Sequence, residues 1–90
     1  MKIPNQFHSF CLGFHQDVFA LYPNISEAAR ASLKQFTQDD LAILKLFLEK
    51  ILLSANDGEL LSIWNASRSD LLFKKGADVR KMILLTLEIL

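Results

Sequence analysis

One stretch, Thr37 to Leu53 (TQDDLAILKLFLEKILL), constrains most of what this chain can fold into, because it is the longest uninterrupted apolar-periodic run in it. At about 100° per residue, Leu41, Ile43, Leu44, Phe47, Leu48, Ile51 and Leu52 fall within half the helix circumference, with Lys45 and Glu49 on the opposite side. That pattern predicts an amphipathic helix with a wide buried face. Thr37 is placed to cap its start, Asp40 stands three residues on, and Asp39 and Asp40 lie where the positive end of the helix dipole favours carboxylates. Leu46 and Leu53 stand outside the main stripe as a second apolar edge, which predicts a helix contacted on two sides.

The rest of the chain supplies helices to surround it. Phe7, Phe10, Cys11 and Phe14 share one helical face, so a first helix is expected from about Gln6 to about Phe14, docked on the central one. The polar triplet His15-Gln16-Asp17 interrupts the pattern, and Tyr22-Pro23 ends it, because proline disfavours helix in the residue before it. Asn24 or Ser26 then caps a short, alanine-rich helix through ISEAARASLKQF. Asn56 or Asp57 caps another through ELLSIWNAS. Arg68 to Gly76 reads as a loop or a helical turn, and Gly76 or Asp78 opens a last helix in which Val79, Met82, Ile83, Leu87 and Leu90 recur at helical spacing. Leu84, Leu85 and Ile89 widen that face until the helix must be largely buried or pair with a partner, so a homodimer through the C-terminal helix is one expectation. No alternating strand pattern of useful length occurs. The expected fold is all-α, a single domain over residues 1–90, with about five helices in an orthogonal or irregular bundle.

Composition narrows the function. Lys plus Arg and Asp plus Glu number ten each, so no overall field draws the chain to nucleic acid or a membrane surface. A local excess of positive charge, Arg68, Lys74, Lys75, Arg80 and Lys81 against Asp70 and Asp78, reads first as a solvated loop and helix start, and nucleic-acid binding is not expected. The run from Met82 to Leu90 is too short to span a bilayer and is interrupted by Thr86 and Glu88. Lys2 leads into Pro4, Asn5 and Gln6 rather than an apolar core, so no secretory leader is expected and the cytoplasm is the default compartment. The lone cysteine, Cys11, excludes an internal disulfide.

The sharpest chemical constellation is His8, Cys11 and His15, whose spacing on a continuous helix would present two imidazoles and a thiolate to one side, a possible zinc set. The phenylalanines share that face and Gly13 weakens the helix before His15, so no metal and no cofactor are expected, and Cys11 reads as a small buried hydrophobe. A Cys11–His15 catalytic pair would need exposure and electropositive surroundings that this apolar neighbourhood lacks. With no phosphate loop, nucleophile elbow or zincin pattern either, no catalytic residue is assigned and an enzyme is not expected. Trp64 reads as core. His15 and Asp17, two residues apart, either serve a partner interface or hydrogen-bond across their own loop.

Phe14-His15-Gln16-Asp17, then Tyr22 and Ser26-Glu27-Ala28-Ala29 opening a helix, the long leucine-rich helix, Asn56-Asp57-Gly58-Glu59-Leu60 opening the next, and Gly76 ahead of Val79-Arg80 together form a series. It resembles the small helical immunity proteins of bacterial contact-dependent growth-inhibition systems. Val18 stands where a tryptophan commonly follows the Asp in that family, and the pair Lys74-Lys75 is a further departure. The resemblance implies a cytoplasmic protein that binds and neutralises one cognate toxin domain. Toxins of this kind are often nucleases with a basic cleft, so the expected contact is a local acidic area, either Asp17 with Glu27 or Asp57 with Glu59; with His15 of the loop, His15, Asp17, Glu27, Asp57 and Glu59 are the candidate partner-binding residues.

Overall fold

The computed structural model describes residues 2–14, 24–67 and 73–90. Among these residues it holds five helices and no strand: α1 (Asn5–Leu12), α2 (Ile25–Leu33), α3 (Gln38–Ser54), α4 (Asp57–Asn65) and α5 (Gly76–Ile89). The protein is an all-α single domain, an irregular bundle in which α5 packs against α4, α2 and α3, while α1 packs against α3 and α2.

Three helix starts are fixed by local side-chain chemistry. Thr37 Oγ1 accepts from the Asp40 N–H at 3.2 Å while Asp40 Oδ2 accepts from the Thr37 N–H at 3.3 Å, a reciprocal capping box. Asn56 and Glu59 form the same box at the start of α4, and Asn24 accepts from the Glu27 N–H at the start of α2. Gln6 Nε2 also donates to Asp40 Oδ1 at 3.0 Å, tying α1 to the first turn of α3. That bond, followed by the two from Thr37, holds the Asp40 carboxyl below its ordinary pKa, because each one favours the charged form.

Two helices end earlier than their apolar pattern implies. At the end of α1 the Gly13 and Phe14 N–H groups donate three residues back, to Phe10 and Cys11. This tightened turn replaces the expected α-helical continuation and still leaves Phe14 buried. Gly13 is required there, since a methyl group at its position would overlap the Ser32 side chain, whose hydroxyl donates to the Phe10 carbonyl at 2.8 Å. Likewise α2 stops at Leu33 rather than running through Phe36: the Lys34 and Phe36 N–H groups donate three residues back, to Ala31 and Leu33, and the chain is extended by Thr37 (ψ 169°), which caps α3.

The core joins one face of each helix. Phe7, Phe10, Cys11 and Phe14 from the first segment meet Ala28, Ala29 and Leu33 of α2, Leu44, Phe47, Leu48 and Ile51 of α3, Leu60 and Trp64 of α4, and Val79, Met82 and Ile83 of α5. Each fully buried large side chain contributes about 1.5–3 kcal/mol of transfer free energy. Trp64 is fully buried, as its place in the sequence suggests. The last helix is largely buried within the one chain: Val79, Met82, Ile83 and Thr86 are covered, Leu85, Leu87, Ile89 and Leu90 half-covered, and Leu84 alone of its large apolar residues is counted as exposed.

Long-range polar contacts lock the α3–α4–α5 junction. Arg80 donates through Nε to Asp57 Oδ1 (2.6 Å), through one terminal nitrogen to the Leu52 carbonyl (3.3 Å) and through the other to the Ala55 carbonyl (3.1 Å). The guanidinium thus satisfies the open carbonyl end of α3 and the first turn of α4 together, which the forked geometry of arginine suits. Replacing Arg80 by methionine, which keeps the apolar stem, is expected to cost about 1–2 kcal/mol in urea unfolding, and lysine is expected to recover only part of that. Most of the loss comes from the two carbonyls, because the ion pair is partly solvated, with Asp57 half exposed. Asn65 closes the segment between α4 and α5 in a similar way: its amide donates to the Phe73 carbonyl and accepts from the Phe73 N–H, at 3.2 and 3.3 Å.

Candidate binding surface

The reactive candidates are placed by α1, whose inward face holds Cys11. The Cys11 thiol is fully buried and desolvation pushes its pKa up to about 12, opposed in part by a hydrogen bond with Ser67. Such a thiol carries almost no thiolate at neutral pH, which makes it a poor nucleophile in the folded chain. Labelling by a thiol reagent at pH 7.5 is therefore expected to run on the order of 100-fold or more slower in the folded chain than in urea, gated by opening of the core. His8 is half-buried with its Nδ1 shielded from solvent and without a hydrogen-bond partner among the described residues. No group of three His, Cys, Asp or Glu side chains able to hold a metal occurs among the described residues. His15, the third residue of that spacing, lies outside them.

The candidate partner residues fall in different settings. His15 and Asp17 lie outside the described residues. Glu27 is exposed in the first turn of α2. Asp57 and Glu59 are both exposed in the first turn of α4, and both have internal work: Asp57 receives Arg80, and Glu59 closes the capping box on Asn56. The structure therefore brings Asp57 and Glu59 together at one helix start, held from two directions, and leaves Glu27 on another helix. The basic excess of the 68–81 segment is also reduced, since Arg80 is paired while Lys74, Lys75 and Lys81 are exposed, and Arg68 and Asp70 lie outside the described residues.

The feature with the largest departure from expectation is on α3. Both α1 and α5 pack on this helix, but on its buried side. The second edge is largely exposed: Leu46 is 70% and Leu53 91% exposed, and Ile43, expected on the core stripe, is 43% exposed. Large apolar side chains grouped on one rigid helix are the usual mark of a contact surface. On a different side of α3, a cleft of about 280 Å³ lies between Leu33, Leu41, Ala42, Lys45, Ile89 and Leu90. No described helix is long and apolar enough to cross a membrane. Comparisons of the chain with models of known protein families, with curated proteins and with solved structures found no match.

Proposed function

We propose that this chain is a protein-binding module that neutralises a cognate toxin domain, in the manner of the immunity proteins it resembles. The observation that carries this reading is the first turn of α4, where the exposed carboxylates of Asp57 and Glu59 are fixed in place by the Asn56 capping box and by Arg80. A pair of charges that is already ordered loses little entropy on binding, which is what a rigid inhibitor of a basic cleft requires. Burial of Cys11, the most reactive side chain of α1, favours binding over covalent chemistry as the chain's work.

The reading predicts that the chain, expressed alone, protects a cell against a toxin domain encoded next to it, and that the two purified proteins form a complex in titration calorimetry. Glu59→Gln is the informative variant. The glutamine oxygen can still accept from the Asn56 N–H, so the helix start survives while one negative charge is lost. Association is expected to slow by about tenfold while stability falls by no more than about 1 kcal/mol, the share of the lost charge at the helix start. Absence of both complex and protection would overturn the assignment.

A further inference from the structure

At 3.6 residues per turn, Asp39, Ile43, Leu46, Lys50 and Leu53 form a single row on α3, about 130° round the helix from the side that Leu44, Phe47, Leu48 and Ile51 bury. Asp39 and Lys50 are exposed, as are the three apolar members. Spacings alternating between four and three residues run along any side of a helix, and what sets this row apart is that three of its five members are large, apolar and exposed, the composition of a seam between two helices. A lysine within such a seam is a known way of fixing register at some cost in stability.

We infer that this row seats a second copy of the same chain, with the two α3 helices antiparallel about a two-fold axis. The row is self-complementary only in that arrangement. With the axis passing between Leu44 and Lys45, Asp39 of each copy lies level with Lys50 of the other and Ile43 with Leu46. A parallel pair would instead set Asp39 against Asp39 and Lys50 against Lys50. The antiparallel pair also brings the amino end of each α3 to the carboxyl end of its mate, which the helix dipoles favour. Two-fold contacts between identical chains need this kind of self-matching surface. The C-terminal helix is the poorer dimer face, because its apolar sides are largely consumed by α2, α3 and α4.

The size of the seam sets its strength. A helix of 17 residues is about 25 Å long, so a contact confined to it falls at the small end of specific interfaces, and dissociation constants on the order of 10 µM are expected. This association is independent of toxin binding and is measured without any toxin present.

Sedimentation equilibrium of the full chain from about 1 µM to about 1 mM tests the proposal. A monomer–dimer equilibrium is expected, and Leu46→Glu should raise its dissociation constant at least about tenfold by placing a charge at the seam centre. Circular dichroism and urea unfolding of that variant at about 1 µM, where both chains are mostly monomeric, should match the wild type, since Leu46 is 70% exposed. Asp39→Lys and Lys50→Asp should each weaken the dimer, and the two together should restore it, because the swap re-creates the opposite pairs. A chain that stays monomeric throughout would overturn the inference and leave the row to a different protein. Association that survives Leu46→Glu, or a double swap as weak as the single changes, would overturn it as well.

Discussion

Truncating Trp64 to alanine is expected to remove about 3–5 kcal/mol of stability, which for a domain holding about 5–15 kcal/mol in total leaves it marginal or unfolded at 37 °C. The reason is position as well as size. Trp64 is fully buried and meets Phe7, Phe10, Phe14 and Phe73 edge-on, with ring centroids 5.3 to 6.4 Å away. Those rings come from α1, from the turn that follows it and from the segment leading into α5, so one side chain joins three parts of the chain to α4. Edge-on ring pairs add about 0.5–1.5 kcal/mol each to the burial term. Urea unfolding measures the loss, and Trp64→Phe is expected to keep more than half of the stability that alanine loses. Trp64 is the only tryptophan, so in the wild type its emission should be blue-shifted and should move to the red on unfolding. Wild-type emission already typical of solvated indole would contradict this packing.

What could be read in the sequence was what local chemistry decides. Thr37 with Asp40, and Asn56 with Glu59, are three residues apart, and the hydrogen bonds that make them caps need nothing from the rest of the chain. The buried face of α3 was legible for a similar reason, since helical periodicity alone brings Leu44, Phe47, Leu48 and Ile51 together. The end of α1 was legible in part, since Gly13 weakens a helix, but the close approach of Gly13 to Ser32 was not, and neither was the stop of α2 at Leu33. Arg80 reads in sequence as part of a basic segment, and only the fold shows it serving acceptors 23 to 28 residues away. Leu46 and Leu53 illustrate the converse. Their periodicity marks them as apolar neighbours, but whether an apolar edge meets its own chain or a second molecule is not encoded in spacing. Asp57 and Glu59, chosen from sequence as partner contacts, sit together on the surface, and their ion-pair and capping roles explain both residues at the level of the single chain.

Gly76 to alanine is the second large effect, and its sign is the opposite of what helix propensity suggests. Gly76 opens α5, where alanine is the better helix former by about 1 kcal/mol, and no glycine among the described residues has positive φ, so backbone conformation does not demand glycine here. The demand is spatial. A Cβ at residue 76 would sit inside contact distance of the Asp57 carbonyl carbon and oxygen and of the Asp57 Cβ, and none of these atoms can turn aside as the end of a long side chain can. Either α5 or the start of α4 must shift, which would also pull Asp57 away from Arg80. Overpacking of this kind typically costs about 1–3 kcal/mol, and here the loss of the Arg80 contacts adds to it, so a net destabilisation of about 2–3 kcal/mol is expected after the propensity gain. Gly58 supplies the internal control. It lies one residue beyond Asp57 in the same helix turn, yet an added Cβ there meets only Asn56 Oδ1, at 3.4 Å, an ordinary contact. Gly58→Ala is therefore expected to be neutral or to stabilise by about 0.5–1 kcal/mol. Urea unfolding of the two variants in parallel decides the matter: equal shifts of the same sign would show that the α4–α5 approach is not what fixes residue 76 as glycine.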